Sequence, residues 1–314
     1  MSKNKYLVLI FSDRKGKPSE NFKKKGVCGL RHFEKGYLKT LPIIGEFLKR
    51  KVVLPPPWIS LSHNNKKTLK SNTWENYFNL DKIKNLDRNP PFEFKNNCDI
   101  KTDLSVGYYL SNTPINELTN KNEDIIALVN CNDDDSNLKI YSHVYLKSLK
   151  NYKSVKYSTN SELLNYGKKI INELKLKNFI FIHSRRGDML DNKVLLEKGT
   201  RQFTNPKYIF DFVNHINNLG LNKIFIATNE KDINYKKDLK ELFKNYIIYF
   251  EEDFFKFLPE YIINDNTMIY LISHEIALKS KISISSTHWI RLGKTESDYK
   301  LSDRSIYKKL RNRR

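Results

Sequence analysis

The sequence predicts an α/β protein built from two units with parallel sheets. The second half of the chain alternates short apolar segments with amphipathic ones, and this order of strand and helix is typical of a parallel sheet. The first half begins in the same way, because an apolar run at 6–11 is followed by a helical pattern and then by the run 52–54. A length of 314 residues favours two domains, which we place at residues 1–155 and 156–314.

The helical pattern of the first half lies between its two strands. Apolar residues recur at helical spacing over 33–48, and Pro42 within that stretch predicts a kink or a restart of the helix. Residues 60–160 are polar and irregular, so that only 125–129 and 140–144 are predicted strands there.

The second half carries clearer boundary signals. Thr159 and Glu162 have the spacing of a capping box, which predicts the start of a helix. Asn205 as the cap, Pro206 at the first position and Gly220 as the stop predict another helix. The remaining predicted elements are strands at 179–182, within 223–230, at 246–250 and at 282–285, and helices at 238–245 and 266–278.

The charge of the chain is strongly basic. Its 56 basic and 35 acidic residues give a net charge of +21, which would suit nucleic acid, a membrane surface or a phosphorylated substrate. The lysines are spread along a chain that is rich in Lys and Asn, a composition typical of AT-rich coding sequences. We therefore attribute most of the charge to compositional drift and not to an anionic partner. The dense cluster at 304–314 is interpreted as a solvated basic helix end. We expect no specific nucleic-acid partner.

Three cysteines and the amino-terminal segment bear on the compartment. Cys28, Cys98 and Cys131 are odd in number and lack CxxC spacing, which predicts neither a zinc site nor a disulfide framework. The apolar run 6–11 is shorter than the roughly 7 to 15 residues of a signal peptide and the roughly 20 of a membrane span. We therefore expect a cytoplasmic protein without a membrane span.

Polar residues stand at the ends of three predicted strands in the second half. Ligands of parallel α/β sheets bind at the carboxyl ends of the strands, and these ends meet at one edge. The sequence therefore predicts a site for a nucleotide diphosphate at this edge. Its candidate residues are His183, Arg185, Arg186 and Asp188 after the first strand, Thr228, Asn229 and Glu230 after the second, and Ser285, Ser286 and Thr287 after the third.

The two adjacent arginines carry the chemistry of this prediction. A guanidinium is planar, stays charged and presents a fork of donors that matches phosphate oxygens. Asp188 would orient one guanidinium, and Gly187 would allow a tight turn after it. Taken alone, the same residues would also fit an Arg–Asp pair that ties a loop to the surface.

Four segments together resemble one family. HSRRGD (183–188) resembles the H-x-R-R-x-D motif of the α1,2-, α1,6- and protein-O-fucosyltransferases. The segment 29–64 resembles the amino-terminal part of the same superfamily, and its LPPPW and LSH portions are most similar to the protein-O-fucosyltransferase branch. KIFIATNE (223–230) resembles the strand end that reads ATD in the family, and ISISSTHW (282–289) resembles its Ser-rich motif.

This resemblance implies a GT-B-like fold with two Rossmann-like domains facing each other across a cleft. GDP-fucose would bind the carboxyl-terminal domain, the acceptor would bind in the cleft, and fucose would move with inversion to a protein or glycan hydroxyl. The resemblance implies neither a metal nor another cofactor. The sequence leaves the oligomeric state open.

The resemblance also implies roles for individual residues. Arg185 would bind the β-phosphate with support from Arg186, His183 would lie near the ribose and guanine, and Ser285 would bind phosphate together with Ser286. The family's guanine-binding Asp has no clear counterpart, and Asp265 and Glu275 are the candidates. Glu34 and Asp188 are candidates for the base. The acceptor-side candidates are Gly29, Arg31, His32, Trp58 and His63.

Two departures and two alternatives remain at this stage. The Asp of the family's ATD motif is Asn229 here, and the turn usually written Gly-Asn or Phe-Asn begins at Gly29 as Gly-Leu-Arg-His. The alternatives are the same fold with another nucleotide sugar and a non-catalytic protein that binds polyanions or nucleic acid. Asp133 and Asp135 have the D-x-D spacing that binds a metal in some glycosyltransferases, but a lone acidic triplet is more often a solvated turn.

Overall fold

The computed structural model describes residues 4–12, 34–57, 73–95, 99–110, 113–131, 157–186, 190 and 204–285. The chain divides into two compact units. The first comprises Met1–Ser161 with Asn264–Met268, and the second comprises Glu162–Ile263 with Ile269–Arg314. The first unit thus extends just beyond the expected boundary at residue 155 and includes a short segment from late in the chain.

The first unit is built around a parallel sheet. Its strands are β1 (Tyr6–Ser12), β2 (Lys51–Val53), β3 (Phe78–Asn79), β4 (Glu93–Lys95), β5 (Asp99–Lys101), β6 (Val106–Leu110), β7 (Ile125–Cys131) and β8 (Ser158–Thr159). Its helices are α1 (Leu41–Phe47) and α2 (Ile115–Leu118), with a π-helical segment at Glu34–Thr40 and a 3₁₀ turn at Trp74–Asn76. The main sheet has the order β2-β1-β7-β6, and every pair in it is parallel.

Burial on both faces explains the continuous apolar sequences of the central strands. Leu7, Val8 and Leu9 of β1 are fully buried, as are the first residues of β7. The predicted effect of Pro42 is confirmed, because the π-helical segment ends before α1 and the proline lies in the first turn of α1. The edge strand β6 was missed by the sequence analysis because its side chains are only partly buried, with Tyr108 about half exposed.

The second unit has its own parallel sheet. Its helices are α3 (Ser161–Glu173), α4 (Pro206–Ile216), α5 (Ile233–Leu242), α6 (Glu252–Phe255), α7 (Glu260–Ile263) and α8 (Asn266–Lys279), of which the first residue of α3 and the start of α8 belong to the first unit. Its strands are β9 (Ile180–Ser184), β10 (Lys223–Thr228), β11 (Ile247–Phe250) and β12 (Ile282–Ser285), in the order β11-β10-β9-β12 with all pairs parallel.

Side chains on both faces of the sheet hold β9 and β10 next to each other. Ile180 and Ile182 pack with Ile224 and other residues of β10, α4 and α5 in one core cluster. Phe181, which points to the opposite face, stacks on Phe225 with ring centroids 5.7 Å apart. These contacts place the two carboxyl ends next to each other.

The structure corrects several predicted boundaries in the second half. Thr159 is not a helix cap, because it lies in β8 and α3 begins only at Ser161. The helix predicted at 238–245 begins at Ile233, since the Asp232 side chain accepts a hydrogen bond from the Asn234 amide. β9 extends to Ser184 and so includes the first two residues of the HSRRGD motif. The cap at Asn205 is confirmed by its hydrogen bond from the Lys207 amide.

Candidate functional site

The three polar strand ends meet at one edge of the second sheet. In the parallel register His183 lies between Ala227 of β10 and Ser285 of β12. Ser184 lies beside Thr228. The prediction that these ends are neighbours is therefore confirmed for the described residues.

The loop after β9 is held to the loop after β10 through Arg186. The backbone amide of Arg186 donates to Asn229 Oδ1 at 2.8 Å, and its Nε donates to Glu230 Oε2 at 2.7 Å. Nη1 of the same guanidinium donates to the Thr204 carbonyl at 3.3 Å. Backbone and side chain of Arg186 are thus both fixed, and we call this arrangement the Arg186 clamp.

Glu230 is itself held in position to bind Arg186. Its amide donates to Thr228 Oγ1 at 3.2 Å, which forms a tight turn at the end of β10. Its Oε1 accepts from the amides of Lys231 and Asp232 at 2.9 and 3.0 Å, which leaves Oε2 for the guanidinium. A carboxylate fixed by two amides needs little reorganisation to form an ion pair, so the clamp is preorganised.

Arg185 lies between a buried strand residue and the Arg186 clamp. Ser184 is fully buried at the end of β9, whereas Arg185 is partly exposed. His183 is also partly buried, and its Nδ1 lies 3.4 Å from Ser285 Oγ. The structure therefore brings together Arg185, Arg186 and His183 with residues of the two neighbouring strand ends.

The environment of Asp265 favours a structural role over the predicted contact with guanine. The side chain is only 1% exposed. Oδ1 accepts from the amides of Thr267 and Met268 in the first turn of α8, and Oδ2 accepts from Tyr77 Oη at 2.9 Å. Burial, followed by the nearby carboxylate, raises the pKa of Tyr77 well above its usual value. A nucleobase could reach Asp265 only by displacing these partners.

Glu275, the other candidate for guanine, lies on α8 against α3. It is partly buried, and a Cβ built on Gly167 of α3 would lie 3.3 Å from its Cβ. Gly167 therefore permits the two helices to approach closely at this point.

Other predicted site residues fall outside the described residues or are described only in part. The backbone of Glu34 lies at the start of the π-helical segment. The predicted residues outside the described ranges are Asp188, Ser286 and Thr287 at the diphosphate site, Gly29, Arg31, His32, Trp58 and His63 on the acceptor side, and Asp133 and Asp135 of the D-x-D spacing.

Neither a metal-binding cluster nor a membrane-spanning helix occurs in the described ranges. Within these ranges no group of three or more His, Cys, Asp or Glu side chains could hold a metal ion. The helices of the same ranges include none that combines the length and the apolar character of a membrane span.

Sequence analysis missed a buried carboxyl group next to the site. Glu251 follows β11, and its Oε1 accepts from Ser273 Oγ of α8 at 2.6 Å. The backbone amide of Thr228, the last residue of β10, also bonds to this carboxylate. Burial raises the pKa of Glu251 to about 7, against the opposing effect of the Ser273 hydrogen bond. The sequence did contain a signal for Glu251. This residue follows directly after β11, and the neighbouring strand β10 ends in residues of the predicted site.

The fold and the strand edge define a class of protein. The second unit is a parallel α/β sheet whose carboxyl edge presents an arginine pair, and this is the position at which nucleotides bind in such sheets. The expected α/β fold with parallel sheets is confirmed. No family model and no curated protein matches the sequence.

Among solved structures the chain is similar to three fucosyltransferase structures. POFUT1 in complex with GDP shares 12% identity, with 93% of this chain and 96% of that chain covered and a TM-score of 0.45. The fucosyltransferase NodZ from Bradyrhizobium shares 11% identity, with 93% and 94% covered and a TM-score of 0.46. POFUT1 in complex with GDP-fucose shares 11% identity, with 93% and 94% covered and a TM-score of 0.42.

Replacement of Glu251 by Gln should change how stability depends on pH. The pKa of Glu251 is higher in the folded protein than in the unfolded chain. The protonated carboxyl group therefore favours the folded state, and the wild type loses this stability as the pH rises through the folded pKa of about 7. Between pH 5 and pH 8 the wild type should lose about 2 kcal/mol of unfolding free energy that Glu251→Gln does not lose. Denaturant unfolding of both proteins across this range measures the difference.

The matched control is Glu241→Gln, which removes an exposed carboxylate of α5. It should follow the wild-type pH dependence. Parallel curves for the wild type and Glu251→Gln would show that Glu251 ionises alike in the folded and unfolded states.

Proposed function

We propose that this chain is a glycosyltransferase that moves fucose from GDP-fucose to a protein or glycan hydroxyl, with inversion. The observation that carries the proposal is the Arg186 clamp, which holds the two arginines of the HSRRGD motif at the carboxyl edge of the second sheet. We infer the donor substrate, GDP-fucose, from the resemblance of this segment to the H-x-R-R-x-D motif. The strand ends at Thr228 and Ser285 stand beside it.

The reaction separates charge at the diphosphate. The bond between the anomeric carbon and the β-phosphate oxygen breaks, and its electron pair stays on the departing GDP. The acceptor oxygen forms the new bond on the opposite face of the sugar and loses its proton. Negative charge therefore grows on the β-phosphate in the transition state, and a preorganised cation there accelerates the reaction.

Arg185 is the residue to which we assign this charge stabilisation. Its fork of donors can bind two phosphate oxygens at once. The clamp fixes Arg186, the residue that follows Arg185. The backbone next to Arg185 is therefore already ordered before the donor binds. His183 and Ser285 complete the donor side in this proposal, with Ser286 and Thr287 as further hydroxyls.

The proton acceptor for the nucleophilic hydroxyl is assigned to Glu34 or Asp188. Both are carboxylates within the segments that resemble the family. For the base of the nucleotide, the structural role of Asp265 makes Glu275 the better candidate to accept from guanine. The rest of the donor set consists of arginine, histidine and hydroxyl groups, so the proposed transfer needs no metal.

Replacement of Arg185 by Ala should lower the rate of fucose transfer from GDP-fucose by about 10² to 10³. The group lost acts on charge that develops in the transition state, and Lys at this position should restore only part of the rate because it cannot form the fork. Arg88→Ala, which removes an exposed arginine of the first unit, is the matched control. Near-normal turnover of Arg185→Ala would contradict the phosphate assignment.

Chelation should leave transfer unchanged. After treatment with EDTA and removal of the chelator, the rate should equal that of the untreated protein, because arginine replaces the metal as the charge-stabilising group. A loss of activity that Mn²⁺ or Mg²⁺ restores would instead assign the diphosphate to Asp133 and Asp135. Variants Asp133→Asn and Asp135→Asn then distinguish a direct metal site from an indirect effect.

GDP should bind more tightly than UDP in calorimetric titrations. Glu275→Gln should lower the affinity for GDP by about tenfold, because the loss of an acceptor leaves guanine N–H groups unpaired, while the affinity for UDP stays the same. Glu173→Gln, an exposed carboxylate of α3, is the control. Equal affinity of the wild type for the two nucleotides would favour the same fold acting on another nucleotide sugar.

A further inference from the structure

Tyr235 contacts the residues on both sides of Arg185. It is a buried residue of α5, with 3% of its surface exposed. Its hydroxyl lies 2.8 Å from Ser184 Oγ, and the guanidinium carbon of Arg186 lies 4.6 Å from the centre of its ring. One side chain therefore binds the residue before Arg185 through a hydrogen bond and the residue after it through a cation–π contact.

Both contacts persist over the working range of pH. Burial raises the pKa of Tyr235 to about 12, against the effects of the Ser184 hydrogen bond and the Arg186 charge. The hydroxyl therefore stays protonated near neutral pH and can pair with Ser184. Arginine is charged in proteins at any pH near neutral, so a cation–π contact with the neutral ring does not depend on pH in that range.

By itself, the Arg186 clamp fixes the chain only on the carboxyl-terminal side of Arg185. Asn229 and Glu230 bind Arg186 from the loop after β10, whereas Ser184 is fully buried in β9 and its hydroxyl needs a partner. Tyr235 supplies that partner and at the same time supports the face of the Arg186 guanidinium. The chain on both sides of Arg185 is thus tied to α5.

We propose that Tyr235 is a positioning residue of the diphosphate site, which orients Arg185 for phosphate by holding Ser184 and Arg186. This inference rests on the proposed function, because it assigns the phosphate contact to Arg185. Tyr235 itself is buried and touches no donor atom in this proposal. Its effect on binding passes through the backbone of the 184–186 segment.

Graded variants separate positioning from simple packing. Tyr235→Phe keeps the ring below Arg186 and removes the hydroxyl, whereas Tyr235→Leu removes both contacts. Ser184→Ala removes the other partner of the same hydrogen bond. Tyr246→Phe is the matched control. Tyr246 directly precedes β11, at the opposite edge of the same sheet, and its hydroxyl forms hydrogen bonds with Asn214 and Asn217.

The experiment measures GDP affinity by calorimetry and melting temperature on the full-length chain. Tyr235→Phe and Ser184→Ala should each weaken GDP binding by about threefold to tenfold, and the double variant should equal either one, since all three lack the same bond. Tyr235→Leu should weaken binding further. Tyr246→Phe should lower the melting temperature to a similar extent as Tyr235→Phe and leave GDP affinity unchanged.

The outcomes distinguish this inference from the proposed function. If the wild type binds GDP and Arg185→Ala does not, but Tyr235→Phe and Ser184→Ala bind like the wild type, the positioning role is wrong and the proposed function stands. Additive losses in the double variant would also overturn it, because they exclude a shared bond. If the wild type binds no GDP, the proposed function itself fails.

Discussion

The ion pair between Arg186 and Glu230 is the interaction on which the candidate site depends. It joins the loops after β9 and β10, and its two partners are mostly shielded from solvent. Loss of either partner would leave a charge without its counterpart in a poorly solvated position, which is more costly than the loss of an exposed pair. The adjacent arginines therefore have different roles in our proposal, in which Arg186 maintains the loop and Arg185 binds phosphate.

The clamp gives a role to Asn229, where the sequence differs from the motif that it resembles. Asn229 stands where the family has Asp, and its Oδ1 accepts the Arg186 amide hydrogen. An amide oxygen and a carboxylate oxygen can both accept this bond. Asn229 therefore makes a contact that holds the loop without adding a negative charge.

Three carboxyl groups differ in role because their environments differ. Glu230 is held by backbone amides and binds an arginine, so it joins the two loops. Glu251 is partly buried beside Ser273, and burial favours its neutral form. Asp265 caps α8 and binds Tyr77, so it supports the fold. Their residue types are the same or similar, and only the surroundings distinguish them.

The sequence by itself determined the α/β class and most strands of the two four-stranded parallel sheets. Continuous apolar runs such as 125–129 mark buried parallel strands, and the polar ends of β9, β10 and β12 predicted one shared edge because parallel strands end together. Local pattern missed the exposed edge strand β6, whose side chains are only half buried. Tertiary structure alone decided which residues pair across the edge. Arg186 with Glu230, and Ser184 with Tyr235, are separated by more than forty residues, and no local spacing encodes such contacts.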